Sequence, residues 1–303
     1  MADVVPLLRS PPHGGPPRVA IFLSGGGSNA EHLLARARER GTAASYQTVC
    51  LVTDAPETSR ARELGLRFQL PVIAEDIYEF YRRNGQPRVT IATPEGQRIR
   101  SLWSEALRAR LAPLRIDFAV FAGFVPLTDL TGDFPCLNVH PGDLTYLKAG
   151  RRFLVGLHTV PIELAIVDGL SAIRSSVIVA QPYSGMGDDM DNGPILGISP
   201  PLALDLGGTR VEDLSACVRA RPAKRPRTGY GDALETVAKA NQERLKREGD
   251  WVVLPQVVVD FARGVFGCDR TGQLHLRIAN RWHAIETVVY DPRTKEVIFR
   301  GRS

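Results

Sequence analysis

From residue 18 the chain repeats one unit: an apolar run, a polar or glycine-rich turn, then a stretch with helical spacing. "RVAIFL" is continuously apolar after Arg18, as a strand covered on both faces must be. "SGGGSN" is a turn, and "AEHLLARARERG" places Ala30, Leu33, Leu34 and Ala37 on one helical stripe before stopping at Gly41. The pattern continues with strands in "YQTVCLVTD", "FQLPVI", "DFAVFAGF" and "CLNVH", and with helices in "TSRARELGL", "RSLWSEALRARLAPL" and "HTVPIELAIVDGL". "RSSVIVAQPY" and "GPILGISPPL" are two further strands. "NQERLKREGDWVVLPQVVVDFARG" is a helix whose Pro255 predicts a kink or break near Trp251, and the remaining tail reads as short strands. This alternation specifies an α/β fold with an open, mostly parallel twisted sheet and helices on both faces. Such sheets bind ligands at the carboxyl ends of their strands.

Three stretches depart from the pattern. Residues 84–97 carry two turn signals around "VTIAT", which predicts a small hairpin. Residues 142–156 read as a loop, and residues 203–235 as a long connection of low hydrophobicity. Residues 1–17, rich in Pro and Gly, read as a flexible tail, leaving 18–303 as a single domain. No segment has the length and apolarity of a membrane span, and the N-terminus lacks a signal-peptide pattern, so a cytoplasmic protein with no membrane partner is expected. The four cysteines are scattered without a CxxC pair, which fits buried free thiols in a reducing compartment.

The formal charge of +5 is confined to one place. "RARPAKRPRTGYG" (219–231) holds Arg219, Arg221, Lys224, Arg225 and Arg227 and no acid, which accounts for the whole excess. Nucleic-acid proteins spread their charge over a face, so nucleic acid is not an expected partner, and this stretch reads as a solvated flexible loop. Oligomeric state has no signature in the sequence.

Three stretches carry chemistry. "SGGGSN" (24–29) ends a strand and opens a helix, the arrangement of a tight turn or of a phosphate or carboxylate site; Ser28 and Asn29 suit both helix capping and donation to an anion. In "CLNVH" the strand period puts Asn138 and His140 on one face, at a strand's carboxyl end, where an amide and an imidazole serve either as an oxyanion clamp or as ordinary structural polar groups. "GDDMDNGPIL" (187–196) supplies acids, Asp188, Asp189 and Asp191, in a Gly-bounded turn. A carboxylate beside His140 would hold a proton on it; a solvated acidic turn is the alternative, and the 12-residue calcium-loop spacing is absent.

Taken in order, "SGGGSN" (24–29), "AGF" (122–124), "NVHP" (138–141), "GLHT" (156–159) and "DNGP" (191–194) resemble the formyltetrahydrofolate-dependent formyltransferases, with a Rossmann-like fold, and look most like those that formylate glycinamide ribonucleotide. The resemblance spans residues 18–200 and reaches residue 265 through "DWVVLPQVVVDFARG". It implies that Asn138, His140 and Asp191 are catalytic, that Gly25, Gly26, Gly27, Ser28, Asn29 and Arg100 lie at the substrate phosphate, and that Val125, Pro126, Leu127, Asp188, Asp189 and Met190 form the folate pocket, with His158 in support. Residues 18–135 then form a phosphate-binding half, 136–200 a catalytic and folate half, 203–235 an inserted basic connection, and 236–303 a C-terminal helix with strands. Departures include Gly26, Pro126 and Gly142, where the family commonly has Asn, Arg and Ser, and Arg247 with Asp250 is only a provisional match to the residues that grip the substrate's ribose and amide.

The implied cosubstrate is 10-formyltetrahydrofolate, the implied partner a small phosphorylated amine, and no metal is required. Other acceptors within the same chemistry are a nucleotide amino sugar, methionyl-tRNA or water; a non-catalytic ligand-binding relative is the alternative from another class. Against methionyl-tRNA stands the lack of a clear five-strand run after residue 205, and against water the lack of a regulatory domain before residue 18.

Overall fold

The computed structural model describes residues 3–41, 45–182, 191–226 and 228–299. Its strands are β1 (Val5–Pro6), β2 (Arg18–Phe22), β3 (Gln47–Thr53), β4 (Val72–Ala74), β5 (Phe118–Phe121), β6 (Cys136–His140), β7 (Leu147–Lys148), β8 (Arg151–Arg152), β9 (Ala172–Ile173), β10 (Ser176–Val179), β11 (Ile195–Ile198), β12 (Leu202–Ala203), β13 (Phe266–Cys268), β14 (Leu274–Ile278), β15 (Arg281–Tyr290) and β16 (Lys295–Phe299). The helices are α1 (Ser28–Arg40), α2 (Ala61–Phe68), α3 (Ile77–Arg83), α4 (Pro94–Leu111), α5 (Val160–Val167), α6 (Val211–Ala220), α7 (Ala233–Leu245) and α8 (Trp251–Ala262).

Twelve strands form one sheet in the order β1-β13-β14-β15-β11-β10-β6-β5-β2-β3-β4, with β16 on β15. Strands β4, β3, β2, β5 and β6 are parallel, as the alternation of apolar runs and helices predicts. Beyond β6 the sheet continues through the antiparallel β10 and β11 and then the C-terminal hairpins, which join it by the parallel pair β11–β15. Both faces of the parallel half are covered. Alternate residues of β2 point oppositely: Val19 and Ile21 pack in one core with Leu33 of α1, Leu64 of α2 and Val257 of α8. Ala20 and Phe22 pack in the other with Tyr81 of α3 and Trp103 of α4. This two-sided burial is why these strands read as unbroken apolar runs.

The chain runs outward from β2 to β3 and β4, then returns to place β5 on the other side of β2. The strand order therefore reverses between β2 and β5, and the loops leaving their carboxyl ends diverge there to open a crevice.

Four local expectations are corrected. Within the expected tail, the described residues from 3 onward are not loose throughout: Val5–Pro6 pair with Gly267–Cys268, and Leu8 is buried in the main core, so apolar burial outweighs the Pro/Gly composition there. Residues 84–97 form no hairpin. Thr93 caps Gly96 and Pro94 takes the first helical position, so α4 begins where a second hairpin strand was expected. Residues 142–156 are more than a loop, because β7 and β8 pair across Ala149 and Gly150, both at positive φ (49° and 75°), as a two-residue hairpin turn requires. Finally, 203–235 contains α6, and part of its basic stretch is half-buried and paired with the buried acids Glu163 and Glu235. Arg221 bonds Glu163 and, through two nitrogens, Asp232; Arg225 bonds Glu235 and Thr159. Arg227 lies outside the described residues. Helix α3 escaped the sequence reading, although Asp76 accepting from the Glu79 amide is an ordinary N-cap.

The break near Trp251 is present. Residues Lys246–Asp250 form a π-helical turn between α7 and α8. Pro255 has no N–H for the carbonyl of Trp251, and the wider turn lies directly before that residue.

Candidate active site

A cavity of ≈480 Å³ lies in the crevice, lined by Asn29, the strand end Phe121, the loop Gly123–Leu127, Asn138, His140, Val155, Leu157, His158, Asp191, Gln242, Lys246 and Asp250 among others. It brings together residues more than 200 positions apart in sequence.

Strand β6 delivers the central pair. Its register, with Phe121 opposite Asn138 on one side and Ser176 opposite His140 on the other, holds both backbones in ladders while the side chains face one way. Asn138 is half-buried and lines the cavity. His140 is 3% exposed. Its Nε2 lies 2.8 Å from the Leu154 carbonyl, which accepts only if that nitrogen carries hydrogen, so Nδ1 is the nitrogen left to exchange a proton. Nδ1 lies 3.9 Å from Asp191 Oδ2. Burial, the largest influence, pushes the imidazole's pKa down; Asp191 and the Leu154 carbonyl oppose it, and the Arg152 cation adds to it. The predicted trio of Asn138, His140 and Asp191 therefore shares one cavity.

Two glycines make this geometry possible. A Cβ on Gly142 would sit 2.6 Å from the Leu154 carbonyl oxygen and 3.1 Å from His140 Nε2, so a side chain there would push the carbonyl from the imidazole. A Cβ on Gly193 would lie 1.8 Å from the Val179 carbonyl oxygen, so only glycine lets the turn after Asp191 rest on β10.

The "SGGGSN" loop closes another edge. Gly27 occupies the left-handed region (φ 61°) as the N-cap of α1, and Leu23 and Leu64 leave no space for a Cβ. Arg60 takes the carbonyls of Gly25 and Gly26, and the first α-helical bond is Glu31 to Gly27, so the amides of Ser28, Asn29 and Ala30 precede the helix's own bonding. Neither Ser28 nor Asn29 caps the helix with its side chain, contrary to expectation. The Asn29 amide instead donates to Asp250 (2.8 Å) and accepts from the Trp251 indole (3.0 Å), tying α1 to the start of α8. Of this stretch Asn29 alone lines the cavity. Ser24, just before the glycines, donates to Asp54 (2.5 Å) and accepts from the Val125 amide (3.0 Å), which locks this loop to the 123–127 loop.

Val125, Pro126 and Leu127 line the cavity, as does Phe124, which is stacked on Trp103. Arg100 does not line it. It is buried on α4 near the rings of Tyr81 and Trp103 and donates to the Leu127 carbonyl (2.8 Å), so it props the loop from outside. His158 lines the cavity at positive φ (58°), with its carbonyl held by Gln242 (2.9 Å). Asp188, Asp189 and Met190 lie outside the described residues.

Asp250 lines the cavity and accepts from Asn29 and Ser175; burial raises its pKa, which these two bonds partly offset. Arg247 is not in the lining. Lys246 and Gln242 are, and sequence reasoning missed both; Lys246 lies in the π-turn, which shifts which residues of a helix face inward. It missed Arg152 as well, which donates to the carbonyls of Asp191 and Gly193.

No protein-family description matches this chain, and no curated protein is significantly similar. Solved structures are similar. The phosphoribosylglycinamide formyltransferase of Coxiella burnetii aligns with TM-score 0.57 and 17% identity over 91% of this chain and 100% of that one. That of Anaplasma phagocytophilum gives 0.54 and 17% over 91% and 100%, and glycinamide ribonucleotide transformylase 1 of Symbiobacterium toebii gives 0.52 and 19% over 88% and 93%. With its parallel half, its reversal between β2 and β5 and its crevice in place, the chain has the fold of the phosphoribosylglycinamide formyltransferases.

Proposed function

We propose that this protein is a formyltransferase that moves a formyl group from 10-formyltetrahydrofolate to the primary amine of a small phosphorylated acceptor, with glycinamide ribonucleotide as the leading acceptor. The observation that carries the reading is the meeting of Asn138, His140 and Asp191 on one cavity at the strand-order reversal. The cavity suits such a donor: its lining combines apolar side chains (Phe121, Val125, Leu127, Val155, Leu157), as a flat heteroaromatic ring requires, with a few polar groups. The folate supplies a formyl group on a nitrogen that can leave.

The chain's residues then have separate tasks. Asn138 donates to the formyl oxygen and gains strength as that oxygen becomes negative when the amine adds to the carbon. His140, fixed through Nε2, uses Nδ1 to hold the proton that the attacking nitrogen loses and to deliver it, directly or through water, to the departing nitrogen. Asp191 favours the imidazolium while that proton is in transit. Of the residues that open α1, Asn29 reaches the cavity, and Lys246 supplies a cation there that suits the acceptor's phosphate. Asp250 is placed to accept from the acceptor's polar groups.

The test is loss of formyltetrahydrofolate followed by absorbance over a panel of amines: glycinamide ribonucleotide, nucleotide amino sugars, methionyl-tRNA, and buffer alone for hydrolysis. Turnover is expected with glycinamide ribonucleotide, and Asn138→Ala and His140→Ala should each lower it by about 10²–10³. Wild-type protein that turns over no amine yet saturably binds a phosphorylated ligand would instead be a binding module, and near-normal turnover in either variant would remove that residue from the chemistry.

A further inference from the structure

The hairpin β7–β8 interrupts the stretch between "NVHP" and "GLHT", and its returning arm touches both members of the proton-handling pair. Its base is anchored away from the cavity, where Tyr146 and Lys148 both donate to Asp168 at the end of α5. Leu147 pairs with Arg152 and Lys148 with Arg151; Arg151 is exposed and Arg152 half-buried, so strand alternation sends Arg152 inward. The Arg152 guanidinium spans the turn that carries the acid: Nη1 donates to the Asp191 carbonyl and Nη2 to the Gly193 carbonyl at 2.7 Å. Two residues later the Leu154 carbonyl receives the Nε2 hydrogen of His140.

We infer that the 147–154 hairpin arm is the positioning element of this site, and that Arg152 is the residue that holds the Asp191 carboxylate facing His140 Nδ1. The guanidinium suits the task. Its planar fork fixes two carbonyls in one geometry, which a lysine's single ammonium does not. It acts on Asp191 through the main chain, leaving the carboxylate free for the imidazole. It is also a cation placed near both: burial lowers its own pKa and Asp191 raises it, the pattern of a charge retained beside a partner. Among the described residues, the charged and titratable groups around His140 are Asp191 from the turn before β11, Arg152 from β8 and, elsewhere in the cavity lining, Lys246 and Asp250 from the π-turn and His158 from the loop before α5.

The kinetic part of the test rests on the proposed formyl transfer, and the titration part does not. The pKa of His140 is followed by NMR of the labelled imidazole in wild type, Asp191→Asn, Arg152→Gln and the double variant. In wild type, Asp191→Asn should lower the His140 pKa by about one unit, the scale of a close opposite charge. In the Arg152→Gln background the same change should shift it by less than half as much, because the carboxylate is no longer held at the ring. Equal shifts in both backgrounds overturn the proposal. Arg152→Lys, which keeps the cation and loses the fork, repeats the cycle, so a folding defect in Arg152→Gln does not hide the answer. Lysine should leave the coupling reduced; full coupling with lysine shows that charge, not the fork, holds the acid, and also overturns it. In turnover, Arg152→Gln should lower kcat at least about tenfold with KM for the folate within about twofold, as misplacement of a reacting group does. Absence of turnover in wild type, with the titration cycle as expected, would overturn the functional reading and leave the positioning role intact.

Discussion

His140 Nδ1 faces Asp191 Oδ2 across 3.9 Å, a separation at which the two attract without a direct hydrogen bond. The pair is bridgeable by one water and is held from both ends, by the Leu154 carbonyl and by Arg152.

The first prediction concerns pH. His140 is buried and its pKa lies below the ordinary histidine value of 6.5, so as pH falls through 6.5 the unfolded chain binds a proton before the folded one does. The unfolded state is then favoured, and stability declines with falling pH until the folded-state pKa is passed. His32, stacked on Trp251 and also lowered by burial, adds to the same slope. Denaturant titrations from pH 8 to 5 should show this decline, and His140→Gln should flatten it; an unchanged slope would mean that His140 does not titrate in this window.

Two glycine-to-alanine changes should separate catalysis from folding. Gly193→Ala places a methyl group 1.8 Å from a backbone carbonyl and should lower stability by about 3 kcal/mol or prevent folding. Gly142→Ala pushes on the Leu154 carbonyl and on His140, so it should cost about 1–2 kcal/mol but lower turnover by at least about tenfold, through the misplaced imidazole. Thermal unfolding and kcat measured on the same samples check both, and Gly142→Ala with wild-type kcat would contradict the role given to the carbonyl.

Asp250 joins α1, β10's approach and the π-turn through Asn29 and Ser175. Asp250→Ala leaves two buried donors unpaired and should destabilise the protein by about 1–3 kcal/mol. The amine KM should rise more than that of the folate, since Asp250 lines the cavity and is proposed to accept from the acceptor's polar groups. A variant with an unchanged melting temperature would refute the structural half, and equal effects on both KM values would refute the second.

The network around Glu163 predicts a buried, salt-insensitive contribution. Glu163 (7% side-chain exposure) meets Arg221 (11%) and receives Thr159, while Arg225 reaches Thr159 and Glu235. Glu163→Ala strands part of this charge and should destabilise by about 3 kcal/mol, whereas the exposed Glu95–Arg98 pair should be dispensable. Chemical denaturation at low and at 1 M salt decides: a Glu163→Ala effect that disappears at about 1 M would mean that the network is solvated.

Much of this site was legible before any coordinates. "CLNVH" announced two polar side chains on one face at a strand's end, and the family motifs nominated Asp191 as their partner. Asn29 and Arg100 were legible as residues but not as roles. Asn29 gives its amide to Asp250 and Trp251, some 220 residues away, and Arg100 turns to a carbonyl of the next loop. Neither choice leaves a trace in local spacing, because the competing partner comes from a distant segment.

The sequence by itself determined the alternation of strands and helices, the parallel half of the sheet, the glycine turn opening the first helix and the face shared by Asn138 and His140. These follow from periodicity and backbone conformation, which are properties of a few neighbouring residues. Tertiary structure alone decided that the N-terminal segment is a sheet edge, that the basic stretch is partly consumed in ion pairs with buried acids, that a π-turn aims Lys246 and Asp250 inward, and that the β7–β8 hairpin brings Arg152 to Asp191. Each of those depends on which partner wins a polar group or an apolar side chain once the chain is folded, and that competition is settled by proximity in space.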